Sequence, residues 1–312
     1  MNIKHFLKVF AISFLASLLL MVVGVYGFIK AFDPVNAAIE QGNENFGIDG
    51  DGNGENTAEE NITFEEAVKN SNRINVLVVG LEGSRTDTIM VASYDRDDKI
   101  GNVISVPRDT YYYREGYSGG YLKINAVYGD EEVGGLIKAV QDTLGIPIHK
   151  YVFVDYKAVV VGIDALGGID VEIPQGGMVY SDPSQNLYIN IPEGVQHLDG
   201  TNGLKALRFR SGYNNGDIGR IEFQQKFITE VVKKLISFQL PKFINEVYPY
   251  IDTNFSLSEL ISLAGDAPGF SMSNLYTDVM PFNPKWIEEL SFVEADKIKV
   301  LELVYRMYGI TE

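Results

Sequence analysis

The sequence predicts an α/β domain whose central β-sheet is covered by helices on both faces. The run INVLVVG at 74–80 is apolar throughout and ends in Gly, as in strands that are buried on both faces. Further along, Val133, Leu136 and Ile137 have helical spacing, and Gly145 is a natural helix stop. Strands that alternate with helices in this way are typical of an α/β sheet.

The predicted elements follow one another along the chain. Strands at 88–95 and 102–109 come after the first one, and a helix ends near 144. The next segment, HKYVFVDYKAVVVGIDALGGIDVEI, predicts a strand, a helix and a strand. The turn-rich stretch 174–200 has room for a short hairpin. These elements account for about the first half of the domain.

A helix is predicted at about 218–238, and the last part of the chain, 238–312, reads as mainly helical. Ser256 and Glu259 have the spacing of a capping box in front of an apolar run. The closing segment, KWIEELSFVEADKIKVLELVYRMYG, is amphipathic at helical spacing. We therefore expect helices to complete the domain.

Composition excludes several classes of function. The 312 residues contain no Cys and only three His, so thiolate nucleophiles and zinc sites with cysteine ligands are excluded, and a Ser-His-Asp triad is disfavoured. The formal net charge is −16 and the sequence pI is about 4.6. An acidic chain without a basic footprint predicts no binding to nucleic acid.

The N-terminus predicts a membrane anchor. Residues 9–29 are 21 residues without a charge, which as a helix extend about 31 Å and cross a hydrocarbon core of about 30 Å. Lys4 and Lys8 precede this run, so 1–8 is expected to be a cytoplasmic tail and the rest extracellular, in a single-pass protein of the cell membrane. A cleaved signal peptide ending at VNA, 35–37, is the alternative, but the apolar run is longer than usual for one.

Residues 30–72 are predicted to be an acidic, flexible linker, and 73–312 the folded extracellular domain. The linker contains DGDGNGE, which resembles part of a calcium-binding loop. However, the ligand spacing is incomplete and no flanking helices are predicted, so a solvated linker is the preferred interpretation.

Arginines are concentrated in one stretch of this acidic chain. Arg208, Arg210 and Arg220 lie within thirteen positions, around a loop of Gly, Asn and Tyr. If 204–210 is a strand, Arg208 and Arg210 share a face. Guanidinium groups suit phosphate because their planar fork donates two parallel hydrogen bonds. Charge balance and local ion pairs are the ordinary alternatives for such residues.

Other charged residues are expected near strand ends, in the sequences SRTD and PRD. The full candidate set is Arg85, Asp87, Arg108, Lys123, Arg208, Arg210, Asp217 and Arg220. Several arginines with few carboxylates are what phosphoryl transfer needs, because arginines neutralise the oxygens of the transferred group. A carboxylate then either holds Mg²⁺ or accepts a proton.

Five spaced motifs resemble the LytR-CpsA-Psr family. They are SRTDTIM, SVPRDTY, KINAVYG, VDYKAVVVGIDALGGIDVEI and HLDGTNGLKALRFR with DIGRIEFQQ, and they extend over residues 74–237 in the family's order. The resemblance implies a central mixed β-sheet flanked by helices, with an apolar pocket for a polyprenyl chain. It implies a phosphotransferase that moves a teichoic acid, capsule or other wall polymer from a polyprenyl-pyrophosphate carrier to peptidoglycan in a Gram-positive cell wall.

The resemblance also implies roles for particular residues. Asp87, Arg108 and Arg220 are expected to be catalytic, and Asp87 is expected to bind Mg²⁺, with Mn²⁺ as the alternative. The pyrophosphate is expected to contact the set Arg85, Arg108, Lys123, Arg208, Arg210, Asp217, Arg220, Gln224 and Gln225. The family's second metal-binding aspartate is absent after the first strand, where Glu82 is the only candidate replacement.

This departure keeps two alternatives open. One is a membrane-anchored binder or regulator of an anionic lipid or polymer without turnover. The other is a hydrolase that cleaves the polyprenyl pyrophosphate with water in place of the sugar hydroxyl. A polyprenyl-pyrophosphate-linked glycan, peptidoglycan and the membrane are the expected partners of the transferase.

Overall fold

A computed structural model describes residues 63–83, 85–209, 212–213, 217–237, 240–266 and 269–310, except the side chains of 217, 218, 236 and 237. The helices of this part are α1 (Phe64–Asn70), α2 (Ile124–Leu144), α3 (Tyr156–Ala165), α4 (Gly200–Arg208), α5 (Asp217–Ser237), α6 (Leu240–Val247), α7 (Leu257–Ala264) and α8 (Lys297–Met307). The strands are β1 (Arg73–Glu82), β2 (Arg85–Asp95), β3 (Ile100–Val106), β4 (Lys150–Val154), β5 (Ile169–Ile173), β6 (Met178–Asp182), β7 (Leu187–Ile191), β8 (Gly194–Leu198), β9 (Ile251–Thr253), β10 (Leu275–Val279), β11 (Phe282–Ile287) and β12 (Leu290–Ala295).

Six strands form the central sheet, in the order β10-β3-β2-β1-β4-β9. The pairs β1–β4 and β3–β10 are parallel, and the remaining neighbours are antiparallel. Helices lie on both faces of the sheet. This confirms the predicted α/β class with a central mixed sheet.

One face of the sheet is covered by a closely packed hydrophobic core. Leu77 and Val79 of β1 are fully buried, and they belong to a core that includes Leu136 and Val140 of α2 and Val304 of α8. The apolar residues of α2 repeat at helical spacing, and Gly145 ends the helix in the left-handed conformation, as predicted. Helices α2 and α8 therefore cover this face with a buried apolar core.

The other face is covered by α3, α5 and α6, beside a second core that contains residues of the β5–β8 and β6–β7 pairs. Helix α4 packs closely against α3, because a Cβ at Gly203 would come within 2.6 Å of the Ile163 side chain. Asp199 caps α4 by accepting a hydrogen bond from the amide of Asn202. These contacts fix the end of α4, and with it Arg208, against the sheet.

The prediction of a mainly helical C-terminal part is wrong for much of 275–295. Helices α6, α7 and α8 are present, and Ser256 and Glu259 form the expected capping box before α7. However, β10 pairs with β3 at the edge of the central sheet, and β11 and β12 form a hairpin. The hairpin turns at Glu288, which adopts φ 55°. A left-handed Glu gives no turn signal in the sequence, so the apolar residues around it read as one amphipathic helix.

Two other local predictions need correction. The stretch assigned to the linker contains α1, whose Phe64 ring stacks on Tyr305 at 5.3 Å between centroids, while Val68 is buried. The ordered domain therefore begins before residue 73. Residues 204–208 belong to α4 and not to a strand. A helix places Arg208 at a C-terminus, so the strand argument for a face shared with Arg210 no longer applies.

The predicted anchor, 9–29, and most of the predicted linker lie outside the described residues. Within the residues that are described, no helix is both long enough and apolar enough to cross a membrane.

Candidate active site

A largely apolar cavity of about 280 Å³ lies under the second face of the sheet. Its floor consists of side chains of β1, β2 and β4, among them Val78, Met90 and Val154. Its walls consist of one face each of α3, α4, α5 and α6, with Leu204 and Leu207 contributed by α4 and Phe243 and Val247 by α6. The cavity is therefore enclosed mainly by carbon.

Helix α5 gives the cavity a polar end and an apolar end. Arg220, Gln224, Phe227, Ile228 and Val231 all line it, and they share one face of the helix. From Arg220 to Val231 the helix rises about 16 Å. The first two side chains are polar and the last three are apolar, so a ligand that fits has a charged head and a hydrocarbon tail.

A break in the β1–β2 register places Asp87 at the polar end. Gly80 is paired with Thr88 and Leu81 with Thr86, so Asp87 is the extra residue of a β-bulge. Regular alternation would send Asp87 and Thr88 to opposite faces of the sheet, yet both line the cavity. Bulges re-aim side chains, and this one turns a carboxylate towards the head of the cavity.

Arg108 binds this carboxylate from the next strand. Its Nη1 lies 2.9 Å from Asp87 Oδ1, and both side chains are about one-fifth exposed. Arg108 follows β3, so it approaches Asp87 from the side away from β1 and β4. Arg220, only 4% exposed, lines a narrow cleft together with Asp87, Arg108 and Gln224. Three of the predicted catalytic residues are therefore brought together.

Arg208 approaches from the end of α4. Its Nη2 lies 3.3 Å from Glu82 Oε1 and 2.7 Å from Gln185 Oε1. Its guanidinium group also stacks on the Tyr156 ring, 4.5 Å from the centroid. Burial raises the pKa of the Tyr156 phenol, and the neighbouring Glu82 carboxylate raises it further, so the phenol stays protonated at neutral pH. Gln185 was not among the predicted site residues, and Tyr156 lies in one of the five motifs but had no predicted role.

Other predicted site residues lie elsewhere. Arg85 is exposed and is paired with Glu82 in the strand register, and it does not line the cavity. Lys123 forms an ion pair with Asp109 at 2.9 Å. Gln225 lies on another face of α5, where its amide donates to the carbonyl of Asp278 at 2.7 Å and holds the helix against the sheet edge. Arg210 and the side chain of Asp217 lie outside the described residues.

The charges of this site suit a phosphate better than a free cation. Arg108, Arg208 and Arg220 face the carboxylates of Asp87 and Glu82, an excess of one positive charge among these five groups. Across the described part of the chain, no cluster of three or more His, Cys, Asp or Glu is arranged to hold a metal ion. Mg²⁺ commonly uses only one or two carboxylates plus phosphate oxygens and water. Asp87 and Glu82 fit that mode of binding.

Two curated proteins with similar sequences are a transferase and a regulatory protein, by their names. Bacillus subtilis (strain 168) TagV, named polyisoprenyl-teichoic acid–peptidoglycan teichoic acid transferase, is 28% identical over 287 residues, 88% of this chain and 70% of that protein. Regulatory protein MsrR of Staphylococcus aureus (strain COL) is 34% identical over 203 residues, 61% of this chain and 59% of MsrR. TagV is thus named as a transferase and MsrR as a regulatory protein.

Solved structures share the fold. The crystal structure of B. subtilis TagV superposes with a TM-score of 0.65 at 25% identity, and the match covers 77% of this chain and 98% of that one. TagT bound to LIIa-WTA superposes with a TM-score of 0.64 at 19% identity, covering 76% and 90%, and at that identity it supports the fold alone. The family model described as the LytR_cpsA_psr family matches residues 42–308. The chain therefore belongs to the LytR_cpsA_psr family.

Proposed function

We propose that this protein transfers a glycopolymer from a polyprenyl-pyrophosphate carrier to peptidoglycan. The observation that carries the proposal is the apolar cavity that ends in Asp87, Arg208 and Arg220. A prenyl chain fits the apolar end, and a pyrophosphate fits the cluster of arginines. The name of TagV, as a teichoic acid–peptidoglycan transferase, supports the same substrates.

The arginines are the main groups that would bind the pyrophosphate. Arg108 and Arg208 are each held by a carboxylate, at 2.9 Å and 3.3 Å, so their positions are fixed before a substrate arrives. A pyrophosphate exchanges these carboxylate contacts for bidentate contacts with its own oxygens. Buried Arg220 meets the phosphates in a region with little water, where its charge is least screened. Prepositioned cations of this kind stabilise the charge that develops on phosphoryl oxygens.

The reaction is a displacement at the glycan-linked phosphorus. A sugar hydroxyl of the acceptor forms a new P–O bond, the P–O bond between the two phosphoryl groups breaks, and polyprenyl phosphate leaves. The hydroxyl proton passes to a carboxylate, Asp87 or Glu82. Asp87 with Glu82 would hold a divalent ion, Mg²⁺ or Mn²⁺, which would supply positive charge that stabilises the phosphoryl oxygens.

The location of the reaction is part of the proposal. An anchor at 9–29 with a cytoplasmic tail would place the domain outside the cell membrane, where both the lipid carrier and peptidoglycan are accessible. The polymer is a teichoic acid, a capsule or another secondary wall polymer. The polyprenyl-linked donors of these polymers share the pyrophosphate that the arginines would bind.

A single assay tests the function against its alternatives. The chain is incubated with a polyprenyl-pyrophosphate-linked glycan and Mg²⁺, with and without peptidoglycan, in parallel with Asp87→Ala. Transfer that needs peptidoglycan, Asp87 and the metal is the expected result. Cleavage that proceeds equally without peptidoglycan would identify a hydrolase. Tight donor binding with no cleavage under any condition would identify a regulator, the kind of role that the name of MsrR indicates.

A further inference from the structure

Three exposed tyrosines form a surface beside the candidate active site. Tyr113, Tyr117 and Tyr121 lie on the loop that follows Arg108, and their exposed fractions are 67%, 38% and 59%. The Tyr117 and Tyr121 rings are 6.3 Å apart. Tyr111 bridges to Lys123, and the Tyr112 amide donates to the Leu122 carbonyl, so the antiparallel register sets Tyr113 opposite Tyr121. We call these three residues the tyrosine surface.

A buried arginine fixes this surface in place. Arg114 has a side chain only 4% exposed, and it forms ion pairs with Asp130 at 3.0 Å and Glu131 at 2.9 Å, both on α2. It also donates to the Tyr121 carbonyl, and its guanidinium group lies 3.9 Å from the Tyr117 ring centroid. Isolated buried ion pairs add little stability, but they do fix geometry. The rings are thus ordered in advance, which lowers the entropic cost of binding.

The loop that carries the tyrosine surface starts at Arg108 and is ordered from its first residues. The Val293 amide donates to the Asp109 carbonyl at 3.1 Å, and the Tyr111 amide donates to the Val293 carbonyl at 2.7 Å. The Asn125 amide donates to the Arg108 carbonyl at 3.2 Å. The loop therefore extends from Arg108 in a fixed direction, held between β12 and α2.

Its position suits the acceptor of the transfer reaction. In phosphoryl transfer, the attacking and leaving oxygens lie roughly in line on opposite sides of phosphorus. The leaving prenyl phosphate points into the cavity over β1, β2 and β4, whereas Arg108 follows β3 on the other side of Asp87. The attacking hydroxyl is therefore expected from the side of Arg108, the residue after which the loop with the tyrosine surface follows.

Its chemistry suits a neutral sugar chain. The electron-rich face of an aromatic ring attracts the C–H groups of a pyranose, and the phenol hydroxyls can bond to sugar hydroxyls and amides. The neighbouring charged side chains include Glu115 on the same loop and Glu288 and Glu289 at the β11–β12 turn, all exposed. These carboxylates repel the anionic headgroups of a bilayer and the phosphates of an anionic polymer.

We propose that the tyrosine surface binds the amino-sugar backbone of the peptidoglycan acceptor and directs its hydroxyl towards Asp87. This inference rests on the proposed function. It adds a binding site for the second substrate, one that lies outside the lipid cavity.

Trp286 provides a matched control. It is 69% exposed, and it is an aromatic residue on the hairpin that packs against the same loop. Its cross-strand partner is Ser291, whereas its neighbour Lys285 is paired with Phe292 and lies 4.1 Å from the Tyr111 ring. Successive residues of a strand face opposite ways, so Trp286 points away from the tyrosine surface.

The test is calorimetric binding of two probes to the full chain in detergent. The probes are chitin oligosaccharides, neutral chains of N-acetylglucosamine that reproduce the acetamido-sugar backbone, and farnesyl pyrophosphate. The double variant Tyr113→Ala/Tyr121→Ala is expected to bind the glycan about tenfold more weakly, through loss of two ring contacts, while its affinity for farnesyl pyrophosphate is unchanged. Trp286→Ala should bind both probes like the wild type. Tyr113→Phe/Tyr121→Phe should retain glycan affinity within about threefold, because the rings remain.

Unchanged glycan affinity in the double alanine variant would overturn the inference, and so would an equal loss of farnesyl pyrophosphate binding. A membrane role is distinguished by fluorescence. Because Trp286 is the single Trp of the chain, Trp286→Phe/Tyr121→Trp carries one reporter on the surface. A shift with glycan is expected, and quenching by brominated lipid nanodiscs would instead assign the surface to the bilayer. Glycan binding needs no turnover, so a wild-type chain that binds glycan but transfers nothing refutes only the proposed function.

Discussion

The two faces of the central sheet are formed by alternate residues of the same strands, but one face is packed in a core and the other lines a cavity. Leu77 and Val79 of β1 are fully buried beneath α2 and α8. Val78 and Gly80, their neighbours in sequence, line a cavity of about 280 Å³ beneath α3, α5 and α6. The strand is the same, so the difference comes from the helices that cover it.

The contrast indicates which face is built for stability and which for a ligand. An apolar cavity costs free energy, because its lining loses the packing contacts that a filled core makes. Such cavities stay dry and take up apolar molecules. The packed face stabilises the fold, and the hollow face is stabilised when a hydrocarbon chain fills it. Charged residues accordingly gather at the rim of the hollow face.

The largest expected effect is on the rim. Asp87→Asn keeps the shape of the bulge but removes the charge that pairs with Arg108. We expect the rate of glycan transfer to fall about 10³-fold, with the melting temperature within a few degrees of wild type. Transfer rate with labelled donor and thermal unfolding are the two measurements. A variant that keeps a tenth of the activity would show that Asp87 is not central.

The next effect concerns donor binding. Arg220→Lys keeps a positive charge at a buried position but loses the planar fork. We expect affinity for a prenyl pyrophosphate to fall about tenfold to a hundredfold, as for a lost bidentate contact. Lys123→Ala is the control, because Lys123 pairs with Asp109 and does not line the cavity. Equal losses in the two variants would contradict the assignment.

A matched pair of substitutions separates the faces by stability. Val140→Phe places a ring in the filled core, where Val140 has no exposed surface, and should lower the free energy of unfolding by about 1–3 kcal/mol. Val159→Phe places the same ring in the cavity and should change it by less than about 1 kcal/mol. Urea denaturation measures both. Similar destabilisation by the two would mean that the second face is as full as the first.

The same cavity variant should weaken the binding of the lipid. The ring introduced by Val159→Phe occupies space that the tail needs, so this variant should bind a prenyl pyrophosphate about tenfold more weakly, roughly the loss of two buried methylene groups. Inorganic pyrophosphate, which has no tail, should bind the variant and the wild type equally. A loss of pyrophosphate affinity would point to damage at the arginines instead.

The smallest effect is on pH dependence, and it belongs to the packed side of β1. Burial lowers the pKa of His149, whose Nδ1 accepts a hydrogen bond from the Asn75 amide at 2.9 Å. Below the ordinary pKa of about 6.5 the unfolded chain takes up a proton that the folded chain resists, so stability falls as the pH drops towards the folded pKa. Urea denaturation at pH 7.5 and pH 5.5 measures the effect. Between these pH values the free energy of unfolding should fall less in His149→Gln than in the wild type. In the exposed control, His197→Gln, it should fall as much as in the wild type.

Much of this fold was predictable, because local sequence patterns indicate most of its helices and strands. The buried run of β1, the spacing in α2 with its Gly145 cap, and the start of α5 are all visible in the sequence. The β11–β12 hairpin was not, because a left-handed Glu288 makes its turn. Helix α1 has a readable start signal, the capping box of Thr63 and Glu66, but its seven residues give a short apolar pattern, and its Phe64 is held by rings at the far end of the chain.

The site was predictable in its residues but not in its geometry. Motifs named Asp87, Arg108, Arg208 and Arg220, and the structure brings them to one end of the cavity. The bulge that turns Asp87 is a register effect between two strands, and no local pattern encodes it. The positions of Lys123 and Gln225 could not be predicted from the sequence either. Gln224 and Gln225 are adjacent on α5, yet Gln224 lines the cavity and Gln225 bonds to the sheet edge.

The central claim is that the hollow face holds the prenyl tail with its pyrophosphate at the arginines. A crystal structure of the chain with a prenyl pyrophosphate tests it most directly. We expect the tail to lie between β1 and α5, past Ile228 and Val231, with the phosphate oxygens within hydrogen-bonding distance of Arg108, Arg208 and Arg220. A tail bound outside this cavity, or phosphates bound away from these three arginines, would contradict it.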